Sequence, residues 1–238
     1  MKKEYYLVKD FIGWSKTEVF VQELILKYNI KSILEIGAGA NPTIHPEFIN
    51  KHNLKYTISD IDDDELKKAN NIYTKLVIDL SKSFPQANTT FDLVFSRMVG
   101  EHISDAKTFH QNVFKILNKG GLSFHCFSTL YAFPFLINKI IPDGFSDFVL
   151  DKVSPRDKHI HGKFKAHYDW SRGPSDRMIQ RFERIGYEII EYVGYFGHNY
   201  YNKIPLLNKI EEVKSKLLLK FPVPSLTAYS HFILRKPK

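Results

Sequence analysis

The stretch Lys31 to Phe48, KSILEIGAGANPTIHPEF, decides the fold. Ile33, Leu34 and Ile36 form an apolar run that ends at Gly37 and Gly39. A buried parallel strand ends this way where a tight turn must bring backbone close to a ligand. A turn that grips a dinucleotide pyrophosphate needs a third glycine three positions on, so that the next helix can lie against the strand. Pro42 stands there instead; its ring suits the first turn of a helix but prevents that close packing. Glu35 adds negative charge where a pyrophosphate needs neutralising. A ligand carrying positive charge fits the loop better.

Outward from this stretch the chain alternates strand and helix. Lys55–Asp60 (KYTISD) reads as a second strand, and Asp62-x-x-Glu65 as a capping-box start for a short helix through Asn70. KLVIDL is a third strand ending near Asp79, and FDLVFS, Phe91–Ser96, a fourth. Asp105 to Leu117 carries Phe109, Val113, Ile116 and Leu117 at helical spacing, with Lys119-Gly120-Gly121 as its stop. LSFHCF is a fifth strand. Pro174 to Ile185 is a helix with Met178, Phe182 and Ile185 on one face. YEIIEYVGYF and AYSHFILRK read as strands that pair as an antiparallel hairpin at the sheet edge. Strands joined by helix-sized connections make a doubly wound α/β sheet, whose ligands bind beyond the carboxyl ends of the strands. Glu35, Gly37, Gly39, Asp60, Asp79 and the stretch Arg97–His102 all fall at or just after strand ends.

The 238 residues suit one domain: an N-terminal helical segment over 1–30, a ligand-binding core over 31–127, and insertions over 128–175 and 196–225 that shape the substrate side or a lid. The single cysteine, Cys126, excludes an internal disulfide or a thiolate metal cluster and suits a reducing compartment, so cytoplasm is the expected location. The N-terminus lacks the apolar core of a signal peptide, and no segment has the length of a membrane span. The 34 Lys and Arg exceed the 26 Asp and Glu by eight, and residues 126–238 hold nearly all of that excess. This is either an ordinary solvated surface or a half that meets an anionic substrate or surface.

The segments LEIGAGANP, TISDID, VIDL, FDLVFSRMVGEH and FKILNKGGLSF, in that order and spacing, resemble the successive motifs of the class I S-adenosylmethionine-dependent methyltransferases. The resemblance covers about residues 30–127 and, more loosely, the last helix and strand pair. It implies a seven-stranded, mostly parallel sheet in the order 3-2-1-4-5-7-6 with the last strand antiparallel. It also implies S-adenosylmethionine lying across the ends of the first, second and fourth strands. On that resemblance Gly37, Ala38 and Gly39 pass beneath the cofactor, and Glu35 supports its amino-acid end. Asp60 accepts both ribose hydroxyls, with Asp62 the competing carboxylate. Ile61 packs on the adenine, Asp79 accepts from the adenine amino group and Leu80 supplies a backbone donor. Arg97 lies on the cofactor side and Met98 on the substrate side of the methyl group. Ala40-Asn41-Pro42 replaces the further glycine that commoner members of the family carry.

Methyl transfer is an in-line displacement driven by positioning, and a base is needed only where the nucleophile must lose a proton. His102 is the first candidate base; the alternative role of Glu101-His102 is to organise the start of the next helix. The aromatic, histidine-rich and basic stretch Asp151–Ser175 offers substrate-wall material, with His167 and Asp169 as further catalytic candidates and Tyr168, Trp170 and Arg172 as substrate contacts. A well-packed surface loop is the competing reading. His159-x-His161 lacks the partners of a metal site, so no metal is expected. Leu206, Leu207, Ile210, Val213 and Leu217 mark one face of a helix among lysines. That face suits a lid, a dimer contact or an anionic membrane surface, with core or interface packing favoured because Glu211 and Glu212 dilute the charge.

The expected activity is O-methylation of a small or carbohydrate-like, anionic acceptor such as a glycan precursor or metabolite. The rivals are a nucleic-acid methyltransferase and a non-catalytic cofactor-binding subunit. Dispersed basic residues and the lack of an Asn-Pro-Pro-Tyr-type motif argue against the first, and intact Gly37, Gly39 and Asp60 against the second. The sequence does not fix the oligomeric state.

Overall fold

The computed structural model describes residues 3–82, 90–130 and 165–238. Among these residues eight strands form one sheet: β1 (Lys3–Leu7), β2 (Ser32–Ile36), β3 (Lys55–Asp60), β4 (Thr74–Val77), β5 (Phe91–Arg97), β6 (Leu117–Ser128), β7 (Glu188–Phe196) and β8 (Tyr229–Arg235). Their order is β1-β7-β8-β6-β5-β2-β3-β4. From β2 onward this reproduces the expected order 3-2-1-4-5-7-6, and β8 runs antiparallel to both its neighbours. The difference is β1, an eighth strand from a segment expected to be helical. It pairs parallel to β7 from Lys3↔Tyr192 to Leu7↔Phe196, with Tyr5 stacked on Phe196 and Lys3 paired to Asp176 at 2.6 Å. The β7–β8 pair is therefore interior rather than an edge hairpin.

Among the described residues six helices cover the sheet: α1 (Thr17–Lys27), α2 (Pro46–His52), α3 (Asp63–Lys68), α4 (Ala106–Ile116), α5 (Asp176–Ile185) and α6 (Pro205–Lys220). Asp62, Asp105 and Ser175 cap α3, α4 and α5, each accepting from backbone N–H groups that the first turn leaves open. The α4 helix stops at Ile116, before the glycine pair. Leu117 is already extended, and Gly120-Gly121 lies within β6 where its register against β5 shifts. Alternation along the strands divides the core in two. Ile33, Ile58, Phe95, Phe124 and Tyr195 pack with α1 on one face; Leu34, Val94, Phe127, Tyr192 and Phe232 pack with α4 and α5 on the other. Glu35, Asp60, Arg97, Ser128 and Tyr229 share the first parity, so the α1 face carries a polar fringe at the carboxyl ends of the parallel strands.

Candidate active site

Two left-handed glycines turn the chain out of β2, Gly37 at φ +69° and Gly39 at φ +50°. A Cβ at Gly37 would lie 2.4 Å from Val99 Cγ2, so only glycine fits. At Gly39 it would sit 3.6 Å from Asp60 Oδ2, which leaves the carboxylate and the bare backbone facing one another. The N–H groups of Gly37 and Ala38 both donate to the Ser59 carbonyl, at 2.7 and 3.0 Å, and pin the turn to β3.

Glu35 holds the same loop from below. Its buried carboxylate accepts from the Thr43 N–H at 2.9 Å, from the Thr43 hydroxyl and from the Tyr56 hydroxyl at 2.7 Å. Burial pushes its pKa up, while these donors and the Arg97 charge pull against that shift. The acid fastens residue 43 to the strand and so fixes the span around Pro42.

Asp60 and Asp62 separate cleanly. Asp62 Oδ1 accepts from the N–H groups of Asp64 and Glu65 and is committed to capping α3. Asp60 takes one N–H, from Asp62 at 3.1 Å on Oδ1, and no hydrogen bond from the described residues falls on Oδ2. Ile61 beside it is 57% exposed, high for a large apolar side chain next to a binding loop. Asp79 is bound into its own turn: it accepts from the N–H and hydroxyl of Ser81 at 2.9 and 2.6 Å and pairs with Lys82 at 3.0 Å. Leu80 is buried, and its carbonyl accepts from Asn112.

Beside the loop lies a cavity of about 450 Å³, with Trp14, Ser15, Asn41, Thr43, Tyr73 and Arg97 in its wall. The half-buried Arg97 guanidinium makes no hydrogen bond or ion pair among the described residues. Sequence reasoning missed Trp14 and Ser15, which precede α1 and hold no motif.

A second group of candidate residues lies beyond β5 and β6. Met98 leaves β5 at φ +55° and Tyr168 sits at φ +51°, left-handed conformations that cost non-glycine residues energy and gather at functional sites. Between them Glu101 is 5% exposed. Its carbonyl accepts from the N–H groups of His167 and Tyr168 at 2.8 and 2.9 Å, and its Oε1 accepts from the Ser128 hydroxyl at 2.9 Å. Its Oε2 is buried with no hydrogen-bond partner. Burial raises the Glu101 pKa, and the Glu101 charge contributes to raising the nearby Tyr168 hydroxyl, pushed up to about 12 mainly by its own burial.

The other candidates on this side divide. His102 is exposed, with Nδ1 at 3.3 Å from the Lys165 carbonyl. His167 is half-buried beside Glu101. Asp169 accepts from the Ala106 N–H at 3.0 Å and so secures the start of α4. Trp170 lies on the opposite face of the sheet, stacked on His110 at 5.7 Å under the Arg181 guanidinium. Arg172 donates to the Tyr168 and Ser171 carbonyls. The described part of the stretch therefore splits: Tyr168 lies beside Glu101, whereas Asp169, Trp170 and Arg172 take part in packing and backbone hydrogen bonds. Residues 151–164, with His159 and His161, lie outside the described residues. Among the described residues no three His, Cys, Asp or Glu side chains are grouped to hold a metal.

Residues 34–124 match the family model described as a methyltransferase domain. No curated protein matches the chain in sequence. Its fold is similar to an S-adenosylmethionine-dependent methyltransferase from Clostridium acetobutylicum (14% identity, 96% of this chain and 93% of that one, TM-score 0.54). It is also similar to one from Archaeoglobus fulgidus (13%, 94% and 97%, 0.53). A third likeness is phosphoethanolamine N-methyltransferase 2 of Haemonchus contortus (16%, 92% and 53%, 0.54). The matched segment is the one that builds the glycine turn, Asp60 and Arg97, and over those residues the chain is similar to a methyltransferase domain.

Proposed function

We propose that the chain methylates a small molecule held beyond the carboxyl ends of β5 and β6, against Met98, Glu101 and Tyr168. The observation that carries this is the facing pair of Gly39 and Asp60, with a carboxylate oxygen that no described residue uses. The residues fit S-adenosylmethionine. Asp60 offers acceptors to a vicinal diol, Ile61 an uncovered apolar face to a ring, and Arg97 with Asn41 and Thr43 a polar wall to an amino-acid end. When bound, the cofactor supplies an electrophilic methyl group on a sulfonium.

The protein's own part is positioning: the turn is pinned by Ser59 and Glu35, and the strained Met98 fixes how the chain leaves β5. The anionic, carbohydrate-like oxygen acceptor expected from residues 151–175 keeps little support. Trp170 and Arg172 are used in packing, and residues 151–164 lie outside the described residues.

Isothermal titration tests the reading. S-adenosylmethionine and S-adenosylhomocysteine are expected to bind, and nicotinamide dinucleotides to give no heat. Incubation with methyl-labelled cofactor and fractionated extract is expected to label the small-metabolite pool. Failure to bind either cofactor form, or label confined to nucleic acid, overturns the proposal.

A further inference from the structure

Glu101 is a buried acid with one oxygen in use and one without a partner. A lone buried carboxylate oxygen is costly unless a donor or a cation meets it. Its surroundings are aromatic. Ser128, which holds Oε1, stands in register with Tyr229 on the neighbouring strand. Tyr229 in turn packs against Phe11 at 4.7 Å and Trp14 at 5.2 Å, and Tyr168 completes the group. Trp14 also lines the 450 Å³ cavity with Arg97, so this one ring is shared by the cluster and the cavity wall.

Aromatic faces around an unpaired carboxylate attract a cation and repel an anion. We infer that the methyl acceptor is an amine, with Glu101 as the catalytic residue that binds its nitrogen. The inference rests on the methyltransferase reading above. An amine enters as an ammonium, paired to Oε2 between the aromatic rings. Transfer of one N–H proton to Oε2 frees the nitrogen lone pair. That pair then forms the bond to the methyl carbon as the carbon–sulfur bond breaks, and its electrons stay on sulfur. The substituted ammonium carries away the positive charge that the sulfonium brought, and the Glu101 carboxyl releases its proton to water to restore the carboxylate. Burial, which raises the Glu101 pKa, favours a carboxyl that takes a proton from an ammonium over one that stays charged.

The test uses the full chain with S-adenosylhomocysteine bound and a panel of probes: benzylamine, tyramine, spermidine and ethanolamine against phenol, catechol and benzoate. Calorimetry is expected to show at least one amine binding the loaded protein, and label from methyl-labelled cofactor to enter that amine. Glu101→Gln keeps the shape and loses the charge. It is expected to weaken amine binding about 30-fold or more and to lower turnover with that amine at least as much, while S-adenosylhomocysteine affinity stays within about twofold. Tyr229→Leu, which removes an aromatic face without touching Glu101, is expected to weaken amine binding about 5- to 30-fold and serves if Glu101→Gln does not fold. Wild-type protein that binds the cofactor yet takes label only into phenol, catechol or benzoate, or binds no amine, overturns the inference and leaves the methyltransferase reading standing. Unchanged amine binding in Glu101→Gln overturns it too. Failure to bind the cofactor at all counts against the earlier reading.

Discussion

Asp60 and Asp62 are two residues apart, and the sequence left either as the ribose ligand; the N–H groups of Asp64 and Glu65 occupy Asp62, and Asp60 is the acid that the proposal above uses. Asp60→Ala removes two charge-assisted acceptors, so titration is expected to show S-adenosylhomocysteine affinity about 30- to 1,000-fold weaker, and Asp62→Ala to leave it nearly unchanged while loosening α3. Other single residues were less legible, because burial is a property of neighbours rather than of a motif. Glu101 stood in the sequence beside His102, yet only the fold shows that the acid is enclosed and the imidazole exposed. His125 is a comparable case on the opposite face. Its two ring nitrogens lie 2.7 Å from Ser96 Oγ and 2.8 Å from Ser123 Oγ, and burial lowers its pKa to about 3. In the window between about 6.5 and 3 the unfolded chain binds this proton and the folded chain does not. Stability is therefore fully present above about pH 6.5 and is lost as pH falls, by about 1.4 kcal/mol per unit. His110, lowered by burial and by the His125 charge, adds to the same limb. Glu35 and Glu101, raised by burial, act with the opposite sign lower down and cancel in a comparison of variants. Urea unfolding at pH 7, 6 and 5 is expected to show a slope shallower by about that amount in His125→Gln; equal slopes would show that the ring is not the group titrating.

Among the elements, the helices show where periodicity informs and where it misleads. In α4 and α5 the apolar stripe meets the sheet, with Phe109, Val113, Ile116, Met178 and Phe182 buried as their spacing demands. In α6 the same kind of stripe points outward: Leu206 is 72% exposed and Leu217 57%, while the buried residues are Glu211, Ser215 and Leu218. Core packing, one of the two favoured expectations for this stripe, is thus not what the described residues show. The reason is local. Ser215 is small enough to lie against Gly197, where a Cβ would meet its hydroxyl at 2.8 Å, and Glu211 reaches back over His198 at 3.6 Å and Lys214 at 2.5 Å. Sequence spacing locates a stripe on a helix, but the opposite strip of small and polar residues set which side docks. Leu206→Ser is expected to change unfolding free energy by less than about 0.5 kcal/mol, whereas Glu211→Ala, which strips a buried imidazole of its neighbour, is expected to cost about 1–3 kcal/mol in denaturant titrations. Reversed magnitudes would place the stripe, not Glu211, at the helix contact.

At the scale of the whole molecule, most of the topology was readable because strand and helix periods alternate cleanly from residue 32 onward, and five motifs tie the strands to one known order. The added strand β1 was not, because KEYYL mixes charges with aromatics and the strong helical period of α1 dominated the first thirty residues. The two ends of that sheet have different work. The β2–β3–β5 end holds the glycine turn, Asp60 and Arg97, and the β6–β8 end holds Ser128 and Tyr229, so the proposed cofactor site draws on elements far apart in sequence. Binding to the folded chain alone then stabilises the whole domain. At a ligand concentration 100 times the dissociation constant the gain is about 2.7 kcal/mol, which for a chain of 238 residues raises the melting temperature by about 5–10 °C. S-adenosylhomocysteine is expected to produce that rise in wild-type protein, and a nicotinamide dinucleotide at equal concentration none. In Asp60→Ala, weakened about 100-fold, the same dose only equals the dissociation constant, and the gain shrinks to about 0.4 kcal/mol, or roughly 1 °C, with the ligand-free melting temperature little changed. A full rise in the variant would remove Asp60 from the cofactor site, and a ligand-free chain that already melts much lower would make Asp60 a structural residue instead.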